Sequence, residues 1–139
     1  MWNQPRITSV WNDGEEIPKK CGYKHGNKVP DIFYHDLEGE SHALIMDDPD
    51  AMAAVGKVWV HWLEYGSVYD EYVTNGINDF GELGYGGPAP PDKRHMYVFT
   101  LYDLDTRLKL KKGFSRKELE DAMKGHIIGE AKLTGTYAP

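Results

Sequence analysis

The sequence predicts a mainly β fold, a β-sandwich with one helix near the C-terminus packed against it. Several segments are rich in β-branched and aromatic residues, as strands prefer, whereas a single segment combines helical periodicity with a capping signal. The chain also contains 15 Gly and 8 Pro, which is typical of a structure with many turns. A length of 139 residues suits one domain, which we place over residues 1–139.

Two segments are the strongest strand candidates, Lys57–Tyr65 and Met96–Leu104. Both are apolar at successive positions, which favours a central place in a sheet that is covered on both faces. On strict alternation, Trp59, His61 and Leu63 share one face of the first strand. Shorter or weaker strand candidates are Ala43–Met46, Ile7–Trp11 and Lys132–Tyr137.

The helix is predicted from Ser115 to about Ile128. Ser115 can cap the first free backbone amides while Glu118 reaches back to it, the arrangement of a capping box. Gly129 suits the end of such a helix. One helical stripe is expected to pack against the sheet, and its members are Leu119, Ala122, Met123, His126 and Ile127.

Charge and composition exclude several classes of partner. The formal net charge is −6, which disfavours nucleic acid and stable association with a membrane surface. A single cysteine excludes internal disulfides and zinc sites made of cysteine alone. No segment approaches the roughly 20 apolar residues of a membrane span, and Met1–Arg6 lacks the pattern of a secretory signal. We therefore expect a cytoplasmic protein.

The first candidate for chemistry is Asp47–Ala51, which follows an apolar strand. A turn with Pro49 and aspartate caps explains it without any function. Alternatively, two carboxylates leave a buried strand end together, with Pro49 fixing the geometry between them. The residues alone leave both interpretations open.

The second candidate is His61, in the most apolar strand. A single histidine in such a strand is more often a hydrogen-bonded core residue than a ligand-binding one.

The third candidate lies in the long aperiodic segment Gly76–Arg94, within the run GELGYGGPAPPDKRHMY. A loop of this length in a compact domain is usually functional or disordered. Glycines allow close backbone approach, and His95 and Tyr97 project from one face of the following strand. Imidazole, phenol and backbone amides together can hold a small anion. The glycines match neither GxGxxG nor GxxxxGK[ST], so no nucleotide fingerprint is present.

These residues form a family signature. The runs ALIMDDPDA, VHWL, GINDFGELGYGGPAPP and HMYVFTLYDLD, followed by AMKGHI and GTY, resemble the phosphatidylethanolamine-binding proteins. The similarity is to the compact bacterial and archaeal branch of the Raf kinase inhibitor-like proteins, and it extends from about Ala43 to Tyr137. The resemblance implies a Greek-key β-sandwich of two antiparallel sheets with a small pocket for phosphate-like anions.

The resemblance also implies which residues form the pocket. Its acidic pair, its strand histidine, its Gly-Pro lip and its His-x-Tyr step all have counterparts in this sequence. They are Asp48, Asp50, His61, Gly87, Pro88, His95 and Tyr97.

The departures from the family pattern concern the rim of this pocket. Met52 stands where the family often has Pro, and Lys93–Arg94 replaces the usual Gly before the histidine. Met96 replaces the usual Arg between His95 and Tyr97.

We hypothesise that His61 and His95 donate hydrogen bonds to an oxyanion, assisted by the Tyr97 hydroxyl and by backbone amides near Gly87. The two aspartates would repel a phosphate unless they have another task. They either orient and charge the histidines, or accept hydrogen bonds from hydroxyl or amine groups of the ligand.

The expected function is a non-catalytic binding or regulatory protein for a small phosphorylated ligand or a phospholipid headgroup. The resemblance makes a kinase or a serine protease the expected partner protein. Protease inhibition is the alternative, through the loops Gly66–Asn75 or Asp92–Arg94. An enzyme is a third class, with two histidines and one aspartate as a metal site or an acid–base pair. The signature segments offer no nucleophile, and we expect neither a cofactor nor a metal.

Overall fold

A five-stranded antiparallel sheet forms the centre of the structure, a computed structural model that describes residues 4–139. Its strands follow the order β5-β4-β3-β6-β7, and β1 pairs with β2 in a separate two-stranded antiparallel sheet. In chain order the elements are β1 Arg6–Thr8, a 3-10 turn Lys19–Cys21, β2 Phe33–His35, β3 Ser41–Asp48, α1 Ala51–Val55, β4 Trp59–Gly66, β5 Thr74–Asn75, β6 His95–Leu104, α2 Arg116–Met123 and β7 Ile127–Tyr137.

The large sheet carries a hydrophobic core on each face. One core includes Leu44, Phe99 and Ile7, so the small sheet and the N-terminal segment cover this face. The other core joins Ile45 to Leu119, so α2 covers the opposite face. The predicted mainly β fold, with two antiparallel sheets and a C-terminal helix, is therefore confirmed. The Greek-key order and the single domain over residues 1–139 stay predictions.

All five predicted strands are present, with shifted bounds. β1 begins and ends earlier than expected and β7 begins earlier. β3 and β4 differ from their predicted ranges by one or two residues at each end, and β6 begins one residue earlier and ends at Leu104 as predicted. The strands β2 and β5 and the helix α1 were not predicted. Each has five residues or fewer, too short for a periodic pattern to develop.

The predicted face of β4 is wrong because the strand contains a β-bulge. Met46 pairs with Trp62 while Asp47 pairs with Val60, so His61 is an extra residue without a partner on β3. The bulge turns His61 toward Tyr97, on the side of Trp62, while Leu63 packs in the opposite core.

The helix is shorter than predicted. The capping box of Ser115 and Glu118 is present, but α2 ends at Met123, and the stretch after it leads directly into β7. His126 therefore does not pack as a helical residue. Its Nδ1 pairs with Asp105 Oδ1 at 2.8 Å, and both side chains are about half exposed.

The segment from 76 to 94 is a long loop, as predicted. Buried Asn78 organises its first half, because its side chain donates to the Gly84 carbonyl and accepts from the amides of Phe80 and Glu82. Within residues 4–139 no helix is long and apolar enough to cross a membrane. Part of the segment tested for a secretory signal, residues 1–3, lies outside the described residues.

Candidate binding site

A cavity of about 220 Å³ opens where β3 ends and β4 and β6 begin. We call it the histidine pocket. Its polar lining residues are Asp48, His61 and His95, and each of them is buried. Its other walls are apolar or aromatic and consist of Ala51, Ala54, Val55, Trp59, Phe80, Ala89 and Pro91.

Strand alternation at the end of β3 separates two adjacent carboxylates. Asp47 lies toward α2 and accepts two hydrogen bonds from Arg116, that from Nη2 at 2.9 Å. Asp48 lies on the other face and lines the histidine pocket. Its Oδ1 accepts the amide of Ala51 at 3.2 Å.

His95 is held between two carboxylates. Its Nδ1 lies 2.6 Å from Asp48 Oδ2, and its Nε2 lies 2.6 Å from Asp92 Oδ1. A carboxylate only accepts hydrogen bonds, so both ring nitrogens carry protons and the ring is an imidazolium. Burial opposes this charge, but the hydrogen bonds to Asp48 and Asp92 outweigh it and raise the pKa of His95.

His61 has the opposite surroundings. Its Nδ1 lies 2.6 Å from the carbonyl oxygen of Gly86, which is an acceptor, so this nitrogen carries the proton. Burial lowers the pKa of His61. The ring is therefore neutral at pH 7, and Nε2 carries a lone pair. Donation to an anion, as hypothesised from the sequence, requires His61 to take up a proton.

The chain at Gly86 and Gly87 packs too closely against its neighbours to carry side chains. A side chain at Gly86 would collide with the ring of Phe80, and one at Gly87 would collide with the carbonyl oxygen of Cys21. The amides of both glycines are already bonded, Gly86 to the carbonyl of His61 and Gly87 to Asn27 Oδ1 at 2.7 Å. These two amides are therefore not free to donate to an anion, whereas the expectation of donors among the neighbours of Pro88 stays a prediction.

Two buried donors lack a hydrogen-bond partner among residues 4–139, one in the lining of the histidine pocket and one outside it, against the ring of His61. They are the Trp59 indole nitrogen and the Tyr97 hydroxyl. Tyr97 packs edge-to-face on His61, with ring centroids 5.2 Å apart. Burial, together with the nearby charge of Asp48, raises the pKa of Tyr97, so its hydroxyl stays protonated. Such orphaned groups occur where a water or a ligand completes the site.

Four predicted site residues lie outside the lining of the pocket: Asp50, Gly87, Pro88 and Tyr97. Asp50 is exposed, and its Oδ2 accepts the Met96 amide at 2.8 Å, which ties the end of β3 to the start of β6. Pro88 lines a neighbouring cavity with Lys24 and Tyr137. The wall between the two cavities contains Ala89 and Pro91, which line both.

Sequence reasoning missed the apolar and aromatic walls of the pocket, among them Trp59 and Phe80, and it missed Asp92, which contacts His95. The spacing Asp92-x-x-His95 was available as a signal, since a short chain reversal brings such residues together. Trp59 stands two positions before His61 in the same strand. No comparable local signal marks Phe80, which a loop returns to the sheet.

The sequence left two other functions open, an enzyme with a metal site and a protease inhibitor acting through a surface loop. Within residues 4–139, no group of three His, Cys, Asp or Glu side chains has the arrangement of a metal site. Much of the loop Gly66–Asn75 is exposed, and Asp70 accepts hydrogen bonds there from Ser67 and Arg107. The Asp92–Arg94 corner is exposed as well, but its first residue is bonded to His95.

Comparison with known proteins places the chain in a family. The sequence profile of the phosphatidylethanolamine-binding protein family matches residues 7–138. A UPF0098 protein of Methanothermobacter thermautotrophicus is 40% identical over 147 residues, covering 94% of this chain and 95% of the relative. A UPF0098 protein of Chlamydia muridarum is 39% identical over 146 residues, covering 95% and 97%.

Solved structures agree with this match. A putative phosphatidylethanolamine-binding protein homologue from Chlamydia trachomatis superposes with a TM-score of 0.87 at 34% identity, covering 97% of both chains. YbcL of Escherichia coli, described as a new member of the mammalian family, gives a TM-score of 0.81 at 25% identity over 96% of this chain and 97% of that chain. The chain therefore belongs to the phosphatidylethanolamine-binding protein family.

Proposed function

We propose that this protein is a non-catalytic binding protein whose histidine pocket holds the phosphate group of a small phosphorylated ligand or a phospholipid headgroup. The observation that carries the proposal is the position of His95 at the pocket wall, where its Nδ1 lies 2.6 Å from the buried carboxylate of Asp48, a contact that favours the imidazolium form. A charged donor in an enclosed site binds an oxyanion more strongly than the same donor in water.

The remaining groups of the pocket support an anion with an organic part. Trp59 lines the pocket and its unpartnered N–H is a further donor, while the Tyr97 O–H lies outside the lining, next to His61. Val55, Phe80 and Pro91 offer apolar surface to the non-phosphate part of a ligand. Asp48 orients and charges His95, which supports the first of the two tasks considered for the aspartates.

The pocket volume limits what enters. About 220 Å³ is below the roughly 300–1,000 Å³ of a typical drug-sized site, so a headgroup fits but two acyl chains do not. A kinase or serine protease partner and a cytoplasmic location stay predictions.

The test is an NMR titration that follows the side-chain nitrogens of His61 and His95. Inorganic phosphate and phosphoethanolamine are added separately, so that a free phosphate and a headgroup are distinguished. We expect the side-chain ¹⁵N resonances of both histidines to shift as ligand is added, and the shifts to reach a plateau when the site is saturated. A matched pair of variants, His95→Gln in the pocket and His126→Gln outside it, separates specific binding from surface binding. The proposal fails if neither pocket histidine responds, or if His95→Gln binds as the unaltered protein does.

A further inference from the structure

Asp92 occupies the outer side of His95. Its Oδ1 accepts the Nε2 proton of His95 at 2.6 Å, while Asp48 accepts the Nδ1 proton from the inner side. The two carboxylates differ in accessibility: the side chain of Asp92 is 41% exposed and that of Asp48 only 5%. The imidazolium therefore has one buried partner and one partner in contact with solvent.

We propose that Asp92 is an internal competitor for the anion site, and that a phosphorylated ligand binds by displacing its carboxylate from His95. This inference rests on the proposed function and adds how the site is controlled. Asp92 was no part of the site expected from the sequence, which included it only in an exposed corner.

The hydrogen-bond count of His95 requires such an exchange. An imidazolium has two N–H donors, and both are used. Asp48 is buried and also holds the amide of Ala51, so its removal would leave unpaired polar groups inside the protein. Displacing Asp92 breaks only its bond to His95 and costs less than displacing Asp48, because Asp92 is already partly hydrated. The Nε2 proton is therefore the one that a ligand receives.

The neighbouring chain permits this movement while limiting its extent. Pro90 and Pro91 stiffen the backbone before Asp92. After it, Arg94 lies 3.3 Å from Thr136 Oγ1 and 3.3 Å from Glu16 Oε1. The corner is thus held at both ends, and rotation of one side chain suffices to open His95.

A tethered competitor gives the pocket a selectivity. Asp92 is attached to the protein, so it acts at a high effective concentration, against which a free monocarboxylate competes poorly. A phosphate presents more charge and three oxygens, so one oxygen can accept from His95 while another accepts from the unpartnered N–H of Trp59 in the pocket lining. We therefore expect phosphate to enter the pocket and acetate to be rejected.

The experiment compares the unaltered protein with Asp92→Ala and Asp92→Asn, titrated by NMR with inorganic phosphate, phosphoethanolamine and acetate. Asp121→Asn is the matched control, because it removes one exposed carboxylate on α2, across the sheet from the pocket. Both Asp92 variants are expected to fold, since the side chain is substantially exposed, and their amide spectra verify this. Asp92→Asn keeps an oxygen acceptor, so Asp92→Ala gives the larger effect.

We expect Asp92→Ala to bind phosphate roughly tenfold or more tightly than the unaltered protein, the effect of one charge-assisted hydrogen bond. Acetate binding should appear in this variant, and Asp121→Asn should bind as the unaltered protein does. In the unaltered protein the Asp92 carboxyl carbon should shift on phosphate binding.

Two results overturn the inference in different ways. If phosphate shifts His61 and His95 with equal affinity in the unaltered protein and in Asp92→Ala, the competitor is absent while the proposed function stands. If no protein in the series shows a response of the pocket histidines, the proposed function fails and the inference fails with it.

Discussion

His61 and His95 line the same pocket but are held in opposite protonation states. His61 donates from Nδ1 to the carbonyl of Gly86, whereas His95 donates from both nitrogens to carboxylates. Burial disfavours charge on either ring, and only His95 has ionised partners that overcome it. The pocket therefore contains one fixed cation and one neutral ring that can accept a proton.

The first prediction concerns these protonation states. At about pH 7 both ring nitrogens of His95 should show the ¹⁵N shifts of N–H groups, while His61 should show one protonated Nδ1 and one unprotonated Nε2. The pKa of His95 should lie above about 6.5 and that of His61 below it. Long-range ¹H–¹⁵N spectra recorded across pH measure both. A neutral His95 at pH 7 would contradict the hydrogen-bond assignment.

The second prediction concerns the pH dependence of anion binding. A bound anion favours the charged form of His61, so binding takes up a proton when the pH lies above the lowered pKa of that ring. Affinity should therefore rise as the pH falls from about 8 to 5.5. Sulfate is the suitable probe, because its own charge is constant over this range. His61→Gln should flatten the dependence, and an affinity for sulfate that rises with pH would refute proton uptake.

The third prediction compares two neighbouring aspartates. Asp48→Asn should lower the free energy of unfolding by about 2–4 kcal/mol, because it removes a buried charged acceptor from His95. Asp50→Asn should change it by no more than about 0.5 kcal/mol, since Asp50 is exposed and the asparagine oxygen still accepts the Met96 amide. Urea unfolding of both variants at one pH checks this. Equal decreases in unfolding free energy for the two variants would mean that the buried contact of Asp48 with His95 contributes little to stability.

The positions of the site residues follow from local patterns, whereas their hydrogen bonds do not. His95 and Tyr97 are two positions apart and share one face of their strand, and Asp48 ends a neighbouring strand, so the three lie near one end of the sheet. The orientation of His61 depends on a bulge in the β3–β4 pairing, which is a relation between strands rather than a property of either.

For α2 as well, one end follows from a local sequence pattern and the other from a long-range contact. The capping box fixes where α2 begins, because Ser115 and Glu118 interact across a single turn. Its end is decided by β7, which pairs with β6 from Ile127 onward and so takes the last apolar residue of the predicted stripe into the sheet. A long-range strand pairing thus overrides a favourable local periodicity.

The fourth prediction tests this corrected helix end. Leu119→Ala should lower the free energy of unfolding by about 2–4 kcal/mol, because Leu119 is fully buried between α2 and the sheet. His126→Ala should cost less than about 0.5 kcal/mol, because its pair with Asp105 is half exposed. Chemical denaturation of the two variants distinguishes the cases. A large decrease in unfolding free energy for His126→Ala would instead indicate that His126 packs on the sheet, as the longer predicted helix requires.

The fifth prediction concerns stability against pH and the partnership of Asp92 with His95. The pKa of His95 is raised on folding, so its stabilising contribution is complete below its unfolded value of about 6.5 and is lost as the pH rises through the folded value. Asp92→Asn removes one of the two carboxylates that raise this pKa, so the variant has less of this contribution to lose. The difference in unfolding free energy between the unaltered protein and Asp92→Asn should therefore be largest near pH 6 and narrow toward pH 9. Urea unfolding across this range measures the difference, with Asp121→Asn as the control for loss of one exposed charge. A difference that widens with pH would show that Asp92 does not stabilise the imidazolium.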